Sequence, residues 1–298
     1  MLTVTDPDGQ FRRNYNRVNF MFKHELAGNA VFELKSLIEL SKRLPENCDN
    51  YWSNGGVAVD NNWSAGTTER QSLQDTIINI EHNNSIVILK HTEQDPVFAP
   101  VLQNVLATIV ELAGEQMRSD VMIGEVLILI SSPRRITPYH MDSETNFLLQ
   151  VTGDKWFHIF DQTDRTLVTE REREDFFAIS RNCAVYRADR QDDCSKYDLH
   201  AGYGVHVPTC APHWVQNRDN VSVALSVNYE LRSVDQVEKV HRFNRRLRKL
   251  GLNPAAPQSS QWRDRVKLAA EGSVASVNSL FKPRAAPPPF QIWTPPTS

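Results

Sequence analysis

Cysteine is scarce in this chain of 298 residues, with only Cys48, Cys183, Cys194 and Cys210. No two form a C-x-x-C pair and none falls at zinc-finger spacing, which argues against a thiolate zinc site. So few thiols over this length also argue against a disulfide scaffold, and a reducing, cytoplasmic setting is expected. Long apolar runs are absent too. The longest are strand-sized, far below the roughly 18 residues of a membrane span. The start, Met1-Leu2-Thr3-Val4-Thr5-Asp6, lacks a basic stretch followed by an apolar one, so no secretory leader is expected. Net charge is small at −3, which gives no bulk attraction to nucleic acid or to a membrane. No internal repeat is visible. The small total conceals an asymmetry: from Ser233 onward there are 11 Lys and Arg against 4 Asp and Glu, a basic appendage on an acidic body.

Apolar patterning divides the chain into four parts. Residues 1–120 read as a mainly helical region packing on a barrel. Phe32, Leu34, Leu37, Ile38 and Leu40 make one helical face before Pro45, and Val101 to Met117 make another. Asp49 to Asn62 reads as loop and turn, and Ser85 to Leu89 as a short β run. Residues 121–232 are a succession of short β-rich segments, which predicts a mainly β jelly roll, a double-stranded β-helix, with flanking helices. Thr152-Gly153-Asp154 and Asn217-Arg218-Asp219-Asn220 are read as hairpin turns within it. Residues 233–282 return to helix, with a capping box expected from Ser233 and Gln236 and an apolar stripe from Val237 through Val240, Phe243 and Leu247 to Leu250. Residues 283–298 are a proline-rich tail whose Phe290, Ile292 or Trp293 could dock.

The segment 221–230 alternates sharply. Val221, Val223, Leu225, Val227 and Tyr229 face one way; Ser222, Ala224, Ser226, Asn228 and Glu230 face the other. A small polar face inside a barrel leaves room for a ligand.

The chemistry is concentrated in Thr137-Pro138-Tyr139-His140-Met141-Asp142 and Pro208-Thr209-Cys210-Ala211-Pro212-His213-Trp214-Val215. A His and a carboxylate two apart on a strand point to the same side. With a distant second His they form a two-His, one-carboxylate set that holds one face of Fe(II) and leaves the other face open. His200 and His206 compete with His213 for the distant position. His206 sits inside the apolar run Val205-His206-Val207, where a ring can simply pack. His213 opens a strand after a proline-containing turn, 73 residues beyond His140, and is preferred.

These stretches resemble the JmjC branch of the cupin superfamily, in particular its asparaginyl-hydroxylase-like members. The likeness runs through 137–142, 146–156 and 206–217 and covers roughly 121–231, with weaker similarity in the helical N-terminal part. The resemblance implies Fe(II) held by His140, Asp142 and His213, with 2-oxoglutarate as cosubstrate and O₂ as oxidant. It implies that Thr137 and Lys155, three before and fifteen after the first His, bind the distal carboxylate of 2-oxoglutarate. It places Asn146 and Asn228, six after the first His and fifteen after the second, near the chelating end. A dianion in a cavity needs such a cation and hydroxyl donor. The Tyr that the family supplies from an earlier strand is not found at 85–90, which reads Ser-Ile-Val-Ile-Leu-Lys.

The expected function is therefore 2-oxoglutarate-dependent hydroxylation of a C–H bond in a protein or peptide side chain, giving succinate and CO₂. A small-molecule substrate is the alternative within that chemistry. The family's C-terminal helices imply a homodimer. Two other readings stand beside it: a cupin enzyme that uses its metal without 2-oxoglutarate, and a non-enzymatic regulator touching nucleic acid through the basic helix 233–250. The charged stretch from Asp161 to Tyr203 is expected to supply irregular substrate-facing loops.

Overall fold

Alternation of apolar and polar residues along short strands builds two antiparallel sheets whose inner faces meet. The structure, a computed structural model, describes residues 3–44, 50–53, 55–61, 71–279 and 293–294. The larger sheet contains β1 (Val4–Thr5), β2 (Phe20–His24), β3 (Tyr51–Ser53), β4 (Ile86–Leu89), β5 (Val121–Ser131), β7 (Thr145–Thr152), β10 (Tyr203–Val207) and β12 (Ser222–Leu231). Their order is β1-β2-β10-β7-β12-β5-β4-β3. The smaller sheet is β6 (Ile136–His140), β11 (His213–Asn217), β8 (Lys155–Ile159) and β9 (Ser195–Leu199), in that order. This is the jelly-roll architecture with flanking helices that the patterning predicts.

Strand β12 shows how burial sorts the two faces. Val223, Leu225, Val227 and Tyr229 join a large core with Phe11, Phe22, Leu102, Leu106, Ile109 and Phe147, beneath the N-terminal helices. Ala224 instead joins Phe157, Ile159, Val205 and Val215 between the sheets. The bulky face thus packs on helices, and the small polar face points into the sandwich.

Residues 1–120 hold α1 (Gln10–Asn14), α2 (Leu34–Arg43), α3 (Leu73–Ile78), α4 (Ala99–Ala113) and α5 (Glu115–Asp120). They also supply β1 to β4, which extend the larger sheet at both edges, so this region is woven into the barrel as well as packed on it. The single helix read over 101–118 is two, broken at Gly114, whose φ of +80° suits a residue without a Cβ.

Neither expected hairpin is one. Strands β7 and β8 lie in different sheets, as do β11 and β12, so both turns are crossings between sheets. The two crossings run side by side: Asp154 N donates to Asn220 Oδ1 (2.9 Å) and Arg218 N to Asp154 O (3.0 Å). A Cβ on Gly153 would lie 2.3 Å from Val221 O. Turn chemistry records that the chain reverses, but the sheet that receives the next strand depends on long-range pairing.

The 161–203 stretch is more regular than expected. Helix α6 (Glu170–Ala178) begins at a capping box in which Thr169 and Glu172 bond reciprocally, and β9 completes the smaller sheet. Helix α7 (Arg232–Lys249) has no capping box. Ser233 N instead donates to Asp120 Oδ1 (2.8 Å), so the end of α5 tethers the start of α7. The buried positions of α7 are Val240, His241 and Asn244, while Leu250 is 76% exposed. Four of its five arginines are engaged: Arg245 with Asp175, Arg248 with Glu174, Arg242 with Glu238, and Arg246 with Glu271 of α8 (Gln261–Ser279). In the proline-rich tail, Trp293 docks on β5, where Gly124 N donates to Trp293 O (3.0 Å) and a Cβ on Gly124 would lie 2.5 Å from the indole. Phe290, Ile292 and Cys48 lie outside the described residues.

Candidate metal centre and cosubstrate cavity

His140 ends β6 and His213 begins β11, and the two residues are cross-strand partners. Asp142 follows two residues later, its backbone oxygen accepting from Cys210 N (2.8 Å). The side chains converge: His140 Nε2 and His213 Nε2 lie 3.8 and 3.6 Å from Asp142 Oδ2, and all three ligand atoms fall within 4.8 Å of one another.

Backbone carbonyls settle the tautomers. His140 Nδ1 bonds Pro138 O (2.7 Å) and His213 Nδ1 bonds Ala211 O (2.9 Å). A carbonyl can only accept, so each Nδ1 carries a proton, and each Nε2 points at the carboxylate and the space beside it, where it could ligate an ion. Burial, with His140 adjacent, pushes the His213 pKa down to about 4, which keeps its ring neutral. Two imidazoles and one carboxylate on one side of a cavity suit a divalent iron-type ion.

The competing histidines are occupied elsewhere. His206 is fully buried, bonding Asn146 O through Nδ1 (2.9 Å) and accepting from Asn16 N through Nε2 (3.0 Å), with its ring stacked on Phe147 at 4.3 Å. His200 sits at the surface with Asp154 and Asp198.

A β-bulge makes the spacing of the first motif work. Thr137 and His140 are three apart and would face opposite sides of a regular strand. Across from them, Val215 pairs with Thr137 and His213 with His140, so β6 has one residue more than β11 between these pairs. The extra residue restores the phase and both side chains reach the same cavity.

That cavity, of about 290 Å³ between the sheets, is lined by all seven residues singled out in the sequence: Thr137, His140, Asp142, Asn146, Lys155, His213 and Asn228. Asn146 and Asn228 face each other across β7 and β12, and Asn146 Nδ2 donates to both Asn228 Oδ1 and Ser226 Oγ (2.5 Å each). Lys155 is only 4% exposed and has no hydrogen-bond or ion-pair partner among the described residues. Burial without a counter-charge pushes its pKa from 10.5 down to about 7. Apolar walls surround it, with Ile86, Ile88, Leu129, Leu148, Phe157 and Val215 among them.

Ser226 and Glu230, on the polar face of β12 that the alternation of 221–230 marks, also line the cavity, whereas other lining residues carry no such signal. Glu125 and Ser131 share the inward parity of β5, a strand too long and apolar to reveal its two faces. Glu144 and Lys90 complete an acidic, mixed-charge end, roughly 20 Å along β5 from Ser131 at 3.3 Å per residue. Burial, then Glu93, raises the Glu125 pKa to about 7. Burial also raises Glu144 and Glu230. Positions 86 and 88, where a family Tyr was sought, present two isoleucines.

The fold is a cupin/JmjC-like double-stranded β-helix, here carrying a His-Asp-His cluster in its barrel. No protein-family model and no curated protein sequence matches the chain. Among solved structures it is similar to the ribosomal oxygenase YcfD of Escherichia coli. That alignment has a TM-score of 0.50 at 13% identity and covers 93% of this chain and 68% of the other. YcfD in complex with cobalt and 2-oxoglutarate aligns with the same TM-score at 14% identity, again over 93% and 68%.

Proposed function

We propose that the protein is an Fe(II)- and 2-oxoglutarate-dependent oxygenase of the cytoplasm. In this reading it hydroxylates a C–H bond of a protein or peptide side chain and releases succinate and CO₂. The observation that carries it is Lys155, a buried cation without a counter-charge, in the same cavity as the His-Asp-His cluster. Burying a charge without a partner is costly, and an anionic ligand with a free carboxylate removes that cost.

Bound Fe(II), with 2-oxoglutarate and O₂, supplies the oxidising power for C–H hydroxylation. His140, Asp142 and His213 hold the ion on one side and leave the cavity side open. Lys155 and Thr137 bind the distal carboxylate. Asn146 and Asn228, locked to each other, orient the chelating end. Leu129, Leu148, Phe157 and Val215 give the cavity apolar walls that exclude water. The ribosomal oxygenase named among the structural neighbours favours a protein substrate.

A metal enzyme that works without 2-oxoglutarate has no need of a clamp for a second carboxylate, which Lys155 and Thr137 would provide. A nucleic-acid-binding regulator is disfavoured by the carboxylates that already engage Arg242, Arg245, Arg246 and Arg248. Leu250, Leu252, Trp262 and Val266, all exposed near the end of α7 and along α8, are consistent with a homodimer formed there, which light scattering of the full chain tests.

The deciding experiment is anaerobic titration of Fe(II)-loaded protein with 2-oxoglutarate, following the weak visible charge-transfer band. A band is expected in the native protein, strongly weakened in Lys155→Ala, and absent with its iron in Asp142→Ala. Iron bound without a band refutes the cosubstrate; no iron bound refutes the centre.

A further inference from the structure

The far end of the cavity contains a second buried donor. Ser131, at the end of β5, is 5% exposed and lines the cavity. Its Oγ accepts from Asn217 Nδ2 at 2.7 Å. The same Nδ2 also donates to Ser132 O at 2.8 Å. A carbonyl cannot donate, so this contact fixes the amide with its nitrogen toward Ser131. Asn217 thus uses one lone pair of Ser131 Oγ, while the hydroxyl proton has no acceptor among the described residues.

The register places this hydroxyl beside the lysine. Asn217 on β11 is the cross-strand partner of Lys155 on β8, and its side chain reaches over to Ser131 in the opposite sheet. Ser131 in turn pairs with Ile86 on β4, one of the apolar positions where the expected Tyr is missing. Two donors without acceptors, an ammonium and a hydroxyl, therefore line the same end of the cavity. A buried hydroxyl proton without an acceptor is uncommon and costly, and a carboxylate there satisfies it together with Lys155.

We propose that Ser131, held by Asn217, is a third binding residue for the distal carboxylate of the cosubstrate, beside Lys155 and Thr137, in place of a tyrosine from β4. The proposal rests on the cosubstrate reading above. It assigns selectivity for a 2-oxo acid with a second carboxylate to a serine on the larger sheet. Asn217 is a positioning residue: it holds the oxygen so that the proton faces the cavity.

The test is calorimetric binding of 2-oxoglutarate and of pyruvate to Mn(II)-loaded protein. Pyruvate keeps the chelating end and lacks the distal carboxylate. Native protein is expected to bind 2-oxoglutarate far more tightly. Ser131→Ala should weaken 2-oxoglutarate roughly tenfold or more, the scale of a hydrogen bond to a charged group, and leave pyruvate unchanged. Ser131→Cys, of similar size but a poor donor, should lose the same selectivity and guards against misfolding of the first variant. Native affinity for 2-oxoglutarate in both variants overturns the assignment, as does equal loss of both ligands. Native protein that binds Mn(II) but prefers neither ligand refutes the cosubstrate reading itself, and the assignment with it.

Discussion

Replacing Lys155 with methionine should make the ligand-free protein more stable, although it should abolish the proposed cosubstrate binding. The side chain is 4% exposed, and burial alone lowers its pKa from 10.5 to about 7. A shift of 3.5 pH units is worth about 5 kcal/mol at 1.36 kcal/mol per unit. The sign follows from linkage. The folded pKa lies below the unfolded one, so between pH 7 and 10.5 the unfolded chain binds more protons and native stability rises with pH. The cost of the buried charge is fully present below pH 7 and disappears by about pH 10.5. Methionine fills similar space without a charge, so the gain of Lys155→Met should fall from roughly 5 kcal/mol at pH 6.5 to roughly 2 kcal/mol at pH 9. Urea unfolding of metal-free protein across that range reads the difference. Mn(II) with 2-oxoglutarate at a hundred times its Kd should add about 2.7 kcal/mol to the stability of the Mn(II)-loaded native protein and nothing to the variant. A variant less stable than native at pH 6.5, or a gap that ignores pH, refutes the picture of an uncompensated lysine.

His206→Ala should retain metal affinity while costing about 2–4 kcal/mol, because it removes a ring packed on Phe147 and leaves Asn146 O and Asn16 N without partners; Mn(II) titration and urea melts separate the two effects. The same residue predicts acid sensitivity. Its folded pKa, lowered by burial to about 3 against 6.5, means that the unfolded chain takes up a proton first, so stability is lost as pH falls below 6.5, and His206→Phe should flatten that limb of the pH–stability curve. Arg248→Met leaves the fully buried Glu174 carboxylate without the Nε–H that bonds both its oxygens and should cost about 3–5 kcal/mol, measured by thermal or chemical unfolding, with little change in metal affinity.

Much of the site was legible because strand parity and metal chemistry are local. His140 and Asp142 needed only a two-residue spacing, and the small polar face of 221–230 pointed to an internal space that Ser226, Asn228 and Glu230 do line. The preference for His213 over His206 rested on its place after a turn, and the hydrogen bonds of His206 show the competing ring doing structural work. Other features were out of reach. Nothing in Thr152-Gly153-Asp154 indicates whether the next strand pairs with the last one or crosses to the other sheet. The T-x-x-E start of α6 at 169–172 is a local signal that the surrounding charges mask.

By itself, then, the sequence determined the β-rich core, the helical flanks and the ligand types at the centre, since each depends on short-range period, turn residues and donor chemistry. Only the tertiary structure decided that β6 bulges so that Thr137 and His140 share a side, that Lys155 meets no acid, and that Ser131 stands across from it on the other sheet. Those relations join residues far apart in the chain through strand register, and register is a property of the assembled sheets.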